Sequence, residues 1–221
     1  MIILEGVSHD NRDGLRRTRI LEEASAVFPA GRGVALLGRN GAGKSTLLKL
    51  ISGARRPDGG RIRRMGTISW PVGFSGSFHP DMTGVQNVRF LARINGVDPD
   101  ALVDFVEGFA RLGPHMRRAY RTYSSGMRSR LSMGASMGIG FDTYLIDEVT
   151  SVGDAAFRQV AEDTLAHRLK ESGAIIVSHS DETIRRLCDC GVVLHGRKLH
   201  YHDDVESALA HHHETMARGL S

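Results

Sequence analysis

Gly38-Arg39-Asn40-Gly41-Ala42-Gly43-Lys44-Ser45-Thr46 decides the reading of this chain, because of what stands on either side of it. Before it runs Val34-Ala35-Leu36-Leu37, a continuous apolar stretch bounded by glycines, which predicts a buried strand. After it, Ser45 to Ile51 predicts an apolar helix. The nine residues fit G-x-x-x-x-G-K-[ST] in the order strand, loop, helix that gives this pattern its mechanics. Glycines let the backbone wrap until successive N–H groups point inward, and the helix beginning near Gly43 adds roughly half a positive charge at that end. Such a loop cradles phosphate. Lys44 can reach the β- and γ-phosphates of ATP, and Ser45 offers a hydroxyl to the Mg2+ that bridges them.

A phosphate loop of this kind needs a carboxylate at the end of a neighbouring strand. Tyr144-Leu145-Ile146-Asp147 supplies an apolar strand ending in one, so Asp147 is the expected metal-side ligand and the adjacent Glu148 the group that polarises an attacking water. Taken alone, an Asp-Glu pair after an apolar run reads as a helix start or a solvated turn. The phosphate loop upstream makes the pair functional.

Outward from these motifs, strands are expected at Ile2 to Val7 and Ile20 to Phe28, with Asp10 to Arg19 between them as a polar turn. From Thr83 the pattern turns helical, with Thr83 as N-cap and Asn95-Gly96 as the stop. A second helix follows Asp98 with Pro99 in its first turn, and a third spans Ser125 to Ile139. Strand signals return at Tyr144–Ile146, Ala174–Val177 and Val192–Leu194, with a helix from Ala155 to Glu171 between the first two. This predicts an α/β fold: a P-loop NTPase core with a mostly parallel sheet, an N-terminal β subdomain, and a helical subdomain inserted over about 83–140. At 221 residues the expectation is a single domain, 1–221.

Composition excludes several classes. No run approaches the roughly 18 to 20 apolar residues of a membrane span, and the opening residues alternate like a strand instead of forming a secretory signal, so a cytosolic chain is expected. Cys188 and Cys190 form a C-x-C without a second pair and read as ordinary residues. The net charge is +4, but the arginines fall in scattered pairs without interleaved aromatics. That suits phosphates or anionic headgroups better than nucleic acid, which is not expected as a partner. His211-His212-His213, among helix formers, reads as a solvated helix face.

With these motifs in place, the chain resembles the ATPase subunit of ABC transporters over nearly its full length. Two further segments carry the resemblance. Tyr123-Ser124-Ser125-Gly126-Met127 stands where the family has its signature loop, usually Leu-Ser-Gly-Gly-Gln, at the start of a helix. His179 follows the strand Ala174 to Ser178, where the family has its switch histidine. The resemblance implies that the signature loop binds the γ-phosphate held by the other subunit's P-loop, that His179 contacts that phosphate, and that Asp154, in Ser151-Val152-Gly153-Asp154, belongs to the dimer-contacting loop. It also implies a homodimer with two shared sites, docked on a transmembrane permease at the cytoplasmic face of the inner membrane as a peripheral subunit.

The variable spelling narrows the branch. Ser69-Trp70-Pro71-Val72-Gly73-Phe74, Met82-Thr83-Gly84, Tyr-Ser-Ser-Gly-Met and Val152-Gly153-Asp154 resemble polysaccharide exporters, and most of all the ATPases of Gram-negative capsular polysaccharide exporters. A carbohydrate-binding appendage is not expected in 221 residues, so the polysaccharide would be handled mainly by the permease. Teichoic-acid and O-antigen exporters are the nearest alternatives. A soluble ABC-type ATPase without a membrane partner is a third. The permease is expected near Phe74 to Asp81 and the following helix, with Trp70 and Phe78 as either anchors or subdomain core. Three departures stand out. The only glutamines are Gln86 and Gln159, leaving no counterpart to the family's glutamine before the helical insert. Ser125 and Met127 replace Gly and Gln in the signature loop. No aromatic precedes Phe28 to stack on adenine, so Arg16, Arg17 and Arg19 are candidates to cover the base, with weak discrimination of ATP from GTP.

Overall fold

The computed structural model describes residues 1–13, 16–73, 76, 78–147 and 155–218. Its contacts divide the chain into two compact units, one of Met1–Pro71, Phe141–Glu148 and Leu169–Ser221, the other of Val72–Gly140 and Val149–Arg168.

The first unit holds two sheets. In the antiparallel one, β1 (Ile2–Asp13) lies between β2 (Arg16–Phe28) and β4 (Gly59–Arg64). The segment expected as a polar turn is instead a ribbon, with Asp10 paired to Arg19, Asn11 to Thr18 and Arg12 to Arg17. Hydrophobic alternation stops there because a two-stranded ribbon has no core to face. Cross-strand polar pairs hold it instead, the Arg19 guanidinium bonding Asp10 across the strands. β4 is also absent from the expected elements. It is arginine-rich and lies on the sheet edge, where Arg61 and Arg63 reach Glu5 at 2.6 and 3.1 Å.

The second sheet has six strands in the order β5-β6-β7-β3-β8-β9: β5 (Ile68–Pro71), β6 (Thr143–Asp147), β7 (Gly173–Val177), β3 (Gly33–Leu37), β8 (Cys190–His195) and β9 (Lys198–His202). All but β9 run parallel. β7 is buried along its whole length, as a parallel strand covered on both faces must be, which is why it reads as an unbroken apolar run. Helix α1 (Lys44–Ile51) buries Leu47, Leu48, Leu50 and Ile51 in the same cluster as Phe28, Leu36 and Ile175. Cys188 and Cys190 are buried, and burial pushes the Cys188 thiol up to about 12, which fits structural cysteines rather than reactive ones.

Next to them, at the start of β8, helix α7 (Val205–Arg218) packs down on the sheet. The approach is close: a Cβ on Gly191 would lie 2.5 Å from the Cβ of Ala208. Ala208 and Leu209 are buried, and His211 and His212, expected on a solvated face, are partly buried because they follow on the packed side. Only His213 of the three is exposed.

The second unit is helical, built from α2 (Gly84–Asn95), α3 (Pro99–Ala110), α4 (Ser125–Gly138) and α5 (Ala155–Leu169). Thr83 caps α2 in a reciprocal box: Gln86 N–H donates to Thr83 Oγ1 at 3.1 Å, and Thr83 N–H donates to Gln86 Oε1 at 2.8 Å. That accounts for one of the two glutamines. Asp98 caps α3 by accepting from the N–H groups of Asp100 and Ala101 at 2.9 and 2.8 Å. Phe109 of α3 meets Phe157 of α5 edge to face at 5.3 Å, and Gly138 leaves room for Leu102 and Phe105. Among the described residues no helix is long and apolar enough to cross a membrane.

The entry into β3 depends on Gly33. Its N–H donates to Asp189 Oδ2 at 2.8 Å, its carbonyl accepts from Asp189 N–H at 2.8 Å, and a Cβ there would strike the Leu187 carbonyl at the end of α6 (Asp181–Leu187). That oxygen, like the Cys188 Cα behind it, is backbone and cannot rotate away. Gly33→Ala is therefore expected to cost about 1 to 3 kcal/mol as an overpacking change, lowering the melting temperature by about 5 °C. A thermal melt unchanged from wild type would contradict this account of the strand entry.

Candidate functional site

The parallel register sets the site. Asp147 pairs with Val177, and Ala35 with Ile176, so β6, β7 and β3 end together and release Asp147, Ser178-His179 and Gly38 at one edge of the sheet. The phosphate loop turns there, with Ala42 N–H donating to the Arg39 carbonyl at 3.1 Å. Gly43 is in the left-handed region at φ 108°, and a Cβ on it would overlap the side chain of Ile20. A residue with a side chain is excluded twice, by conformation and by space.

Gly43 also stands at the N-cap of α1 with no side chain bonding the first-turn N–H groups, and no acidic residue in that turn. These donors and the helix dipole face the loop's interior, an arrangement that favours an anion. Lys44 Nζ donates to the Gly38 and Arg39 carbonyls at 2.7 and 3.1 Å, which curls the ammonium over the loop it must serve.

A cavity of about 450 Å³ opens beside the loop. Lys44, Ser45, Thr46, Asp147 and His179 all line it, together with Asn40, Gly41 and Gly43. Thus the structure brings together the sequence-predicted cation, hydroxyl, carboxylate and histidine. Its volume lies within the range of small-molecule sites, about 300 to 1,000 Å³. Ser45 and Asp147 offer hydroxyl and carboxylate oxygens, the hard donors that Mg2+ takes along with phosphate and water. Glu148 and Asp154 lie outside the described residues, as does the rest of the loop from 148 to 154.

The ribbon contributes two lining residues that sequence reasoning did not single out, Asn11 and Ile20. Asn11 is held by Arg55, whose Nη1 donates to Asn11 Oδ1 at 3.0 Å. Arg17 and Arg19 are exposed and are not among the lining residues, and Arg19 is engaged with Asp10; the Arg16 side chain lies outside the description. The signal for Asn11 was its register: once the segment is a ribbon, Asn11 sits opposite Thr18, two residues from Ile20.

In the helical unit, Ser124 caps α4 by accepting from Met127 N–H at 3.3 Å, and Ser124 and Ser125 are exposed. Gly126 has no neighbour within 4 Å of where a Cβ would stand. Tyr123 is buried instead, its hydroxyl donating to the His115 carbonyl at 2.6 Å. Phe78 is buried against Tyr120 at 5.1 Å and serves as core, whereas Trp70 is only partly buried and meets Phe141 edge-on at 5.4 Å. Phe90, which together with Phe78, Pro80 and Met82 lines an apolar groove of about 400 Å³, is exposed, as is Ile94 one turn on. Phe74 lies outside the described residues.

The ABC transporter family matches residues 21–151. The chain is 42% identical over 212 residues to the polysialic acid transport ATP-binding protein KpsT of Escherichia coli, covering 95% of each. It is 40% identical to the capsule polysaccharide export ATP-binding protein CtrD of Neisseria meningitidis serogroup B, covering 96% of this chain and 98% of the relative. The O-antigen export system ATP-binding protein RfbB of Klebsiella pneumoniae is 31% identical, over 91% and 84%. A solved dimeric structure of the ATP-binding cassette MJ0796, in a post-hydrolysis state with ADP and Pi, shares the fold with a TM-score of 0.77 at 16% identity, over 93% of this chain and 99% of that one. With the family match spanning more than half the chain and nearly full-length relatives at 40% and 42% identity, the chain belongs to the ABC transporter family, as an ATP-binding, ATP-hydrolysing subunit.

Proposed function

We propose that two copies of this chain, joined head to tail and bound to a membrane-spanning permease at the cytoplasmic face of the inner membrane, hydrolyse MgATP to drive export of a capsular polysaccharide. The observation that carries the reading is the meeting of Lys44, Ser45, Asp147 and His179 in one cavity, in a chain about 40% identical to capsule and polysialic acid export subunits. The lower identity to an O-antigen subunit, 31%, favours capsule over that alternative.

The N–H groups of the loop and the start of α1 bind the phosphates, and Lys44 exchanges its two carbonyl partners for phosphate oxygens. Ser45 and Asp147 would hold Mg2+, which would supply charge neutralisation to the bound phosphates. Glu148 accepts the proton of the attacking water, while His179 orients at the γ-phosphate. The signature loop, Ser124 to Met127, presents its hydroxyls and helix N-terminus to the γ-phosphate of the second copy, and Asp154 contacts that copy. The permease docks at the groove beside Phe90 and Ile94, whose exposed apolar surface suits a partner helix.

Deleting the gene and complementing it tests the whole reading. The deletion is expected to lose surface capsule and accumulate polysaccharide inside the cell. Wild type should restore it; Glu148→Gln, which still binds ATP but hydrolyses it at least about a hundredfold more slowly, should not. Phe90→Asp with Ile94→Asp should keep ATP binding yet also fail to restore capsule. Normal capsule in the deletion strain would sink the substrate, and near-normal hydrolysis by Glu148→Gln would remove that residue from its role.

The base is placed by the ribbon, with Ile20 beside the loop and Asn11 at its edge. Titrating ATP and GTP against wild type, Asn11→Ala, Arg17→Ala and Arg19→Ala should show weak discrimination throughout. Asn11→Ala should raise the ATP dissociation constant about fivefold, roughly one net hydrogen bond, and the arginine variants should stay near wild type. Loss of affinity in an arginine variant with none in Asn11→Ala would assign the base to the arginines.

A further inference from the structure

The close contact of Gly191 with Ala208 fixes the rotation of α7 on the sheet. One helical turn beyond Ala208, on the same face, comes His212. The helix delivers this ring into a second, more enclosed cavity of about 60 Å³, whose polar wall is Lys44, Ser178, His179 and Asp181. The neighbouring histidines hold that turn of α7 in place. His211 Nδ1 lies 2.8 Å from His202 Nε2, and His213 Nε2 lies 3.1 Å from Asp181 Oδ2, at the start of α6.

His212 Nδ1 is buried and makes no hydrogen bond among the described residues. Leaving such an atom unsatisfied costs about 1 to 3 kcal/mol, and a polar cavity of this size has room for water to bridge it to the wall. Burial holds the His212 pKa below its ordinary value, with His213, Lys44 and His179 adding to the effect and Asp181 opposing it. The ring is thus neutral at neutral pH, with one nitrogen to donate and one to accept.

We propose that His212 is a positioning residue for ATP hydrolysis: through this cavity it fixes the His179 loop against Lys44, tying the C-terminal helix to the γ-phosphate end of the site. The inference rests on the reading of His179 given above. It makes α7 an element through which the site's state is communicated, without any contact between His212 and the nucleotide.

Steady-state hydrolysis, ATP affinity and melting temperature of the purified full chain decide it, for His212→Leu, His212→Asn, His212→Gln and His179→Ala. Leu fills the space without a nitrogen. Asn places its amide where Nδ1 lies, and Gln places an equally polar amide at the position of Nε2. His212→Leu is expected to lower kcat about tenfold with KM changed less than about twofold, Asn to recover most of the rate, and Gln to recover little. Equal rates for Asn and Gln, or a rate that follows melting temperature across the three, would reduce His212 to packing and overturn the proposal. An unchanged rate in His212→Leu beside an impaired His179→Ala would overturn it alone. A wild-type rate in His179→Ala would instead overturn the reading of His179 on which it rests.

Discussion

The carboxyl ends of β3, β7 and β6 lie side by side, and the site exists because they do. Parallel pairing carries each strand in the same direction, so the residues that follow them emerge on one edge: the phosphate loop after Leu37, Ser178-His179 after Val177, and Asp147 at the end of its own strand. Each contributes a different chemistry, and none is near the others in sequence. Shifting β6 by one residue against β7 would turn Asp147 to the opposite face of the sheet. The alignment in turn depends on burial. The apolar residues of β3 and β7 have nowhere else to go, with α1 packing Leu47, Leu48 and Ile51 against them.

The phosphate loop sits where this frame meets the antiparallel sheet. Ile20 of β2 occupies the space that any side chain at position 43 would need, so the glycine serves both the turn and the close approach of the ribbon. The ribbon thereby becomes one wall of the nucleotide cavity. On another side, Gly191 plays a similar part by letting α7 come close enough for His212 to line one cavity with Lys44 and His179. Two glycines far apart in the chain thus set what surrounds the same lysine.

What was legible in the sequence is what is local. The phosphate loop, Asp147 and His179 follow apolar strands directly, and the strand signals of β3, β6 and β7 are strong because both faces are buried. Thr83, Asp98 and Gly96 announced their helix ends, since capping is a matter of a few adjacent residues. What was missed depends on partners distant in sequence. The Asp10 to Arg19 ribbon has polar residues on both sides and is a strand only because its two halves pair. β4, with five of its six residues Gly or Arg on either side of Ile62, has no apolar alternation to show and owes its place to β1 and Glu5. Tyr123 reads as part of an exposed loop but is core, since its hydroxyl finds the His115 carbonyl. His212 looked solvated because its own neighbours are polar, and only the packing of Ala208 turns it inward.

The central claim is that one copy's phosphate loop works with the signature loop of another. Mixing Lys44→Ala chains with Ser124→Arg chains tests it directly. In a head-to-tail dimer of the two, one site carries both lesions and the other carries neither. Each variant alone should be inactive. The equimolar mixture should recover about a quarter of the wild-type ATPase rate, because half the dimers are mixed and each has one of its two sites intact. A mixture as inactive as its components, with mixed dimers present, would contradict the account.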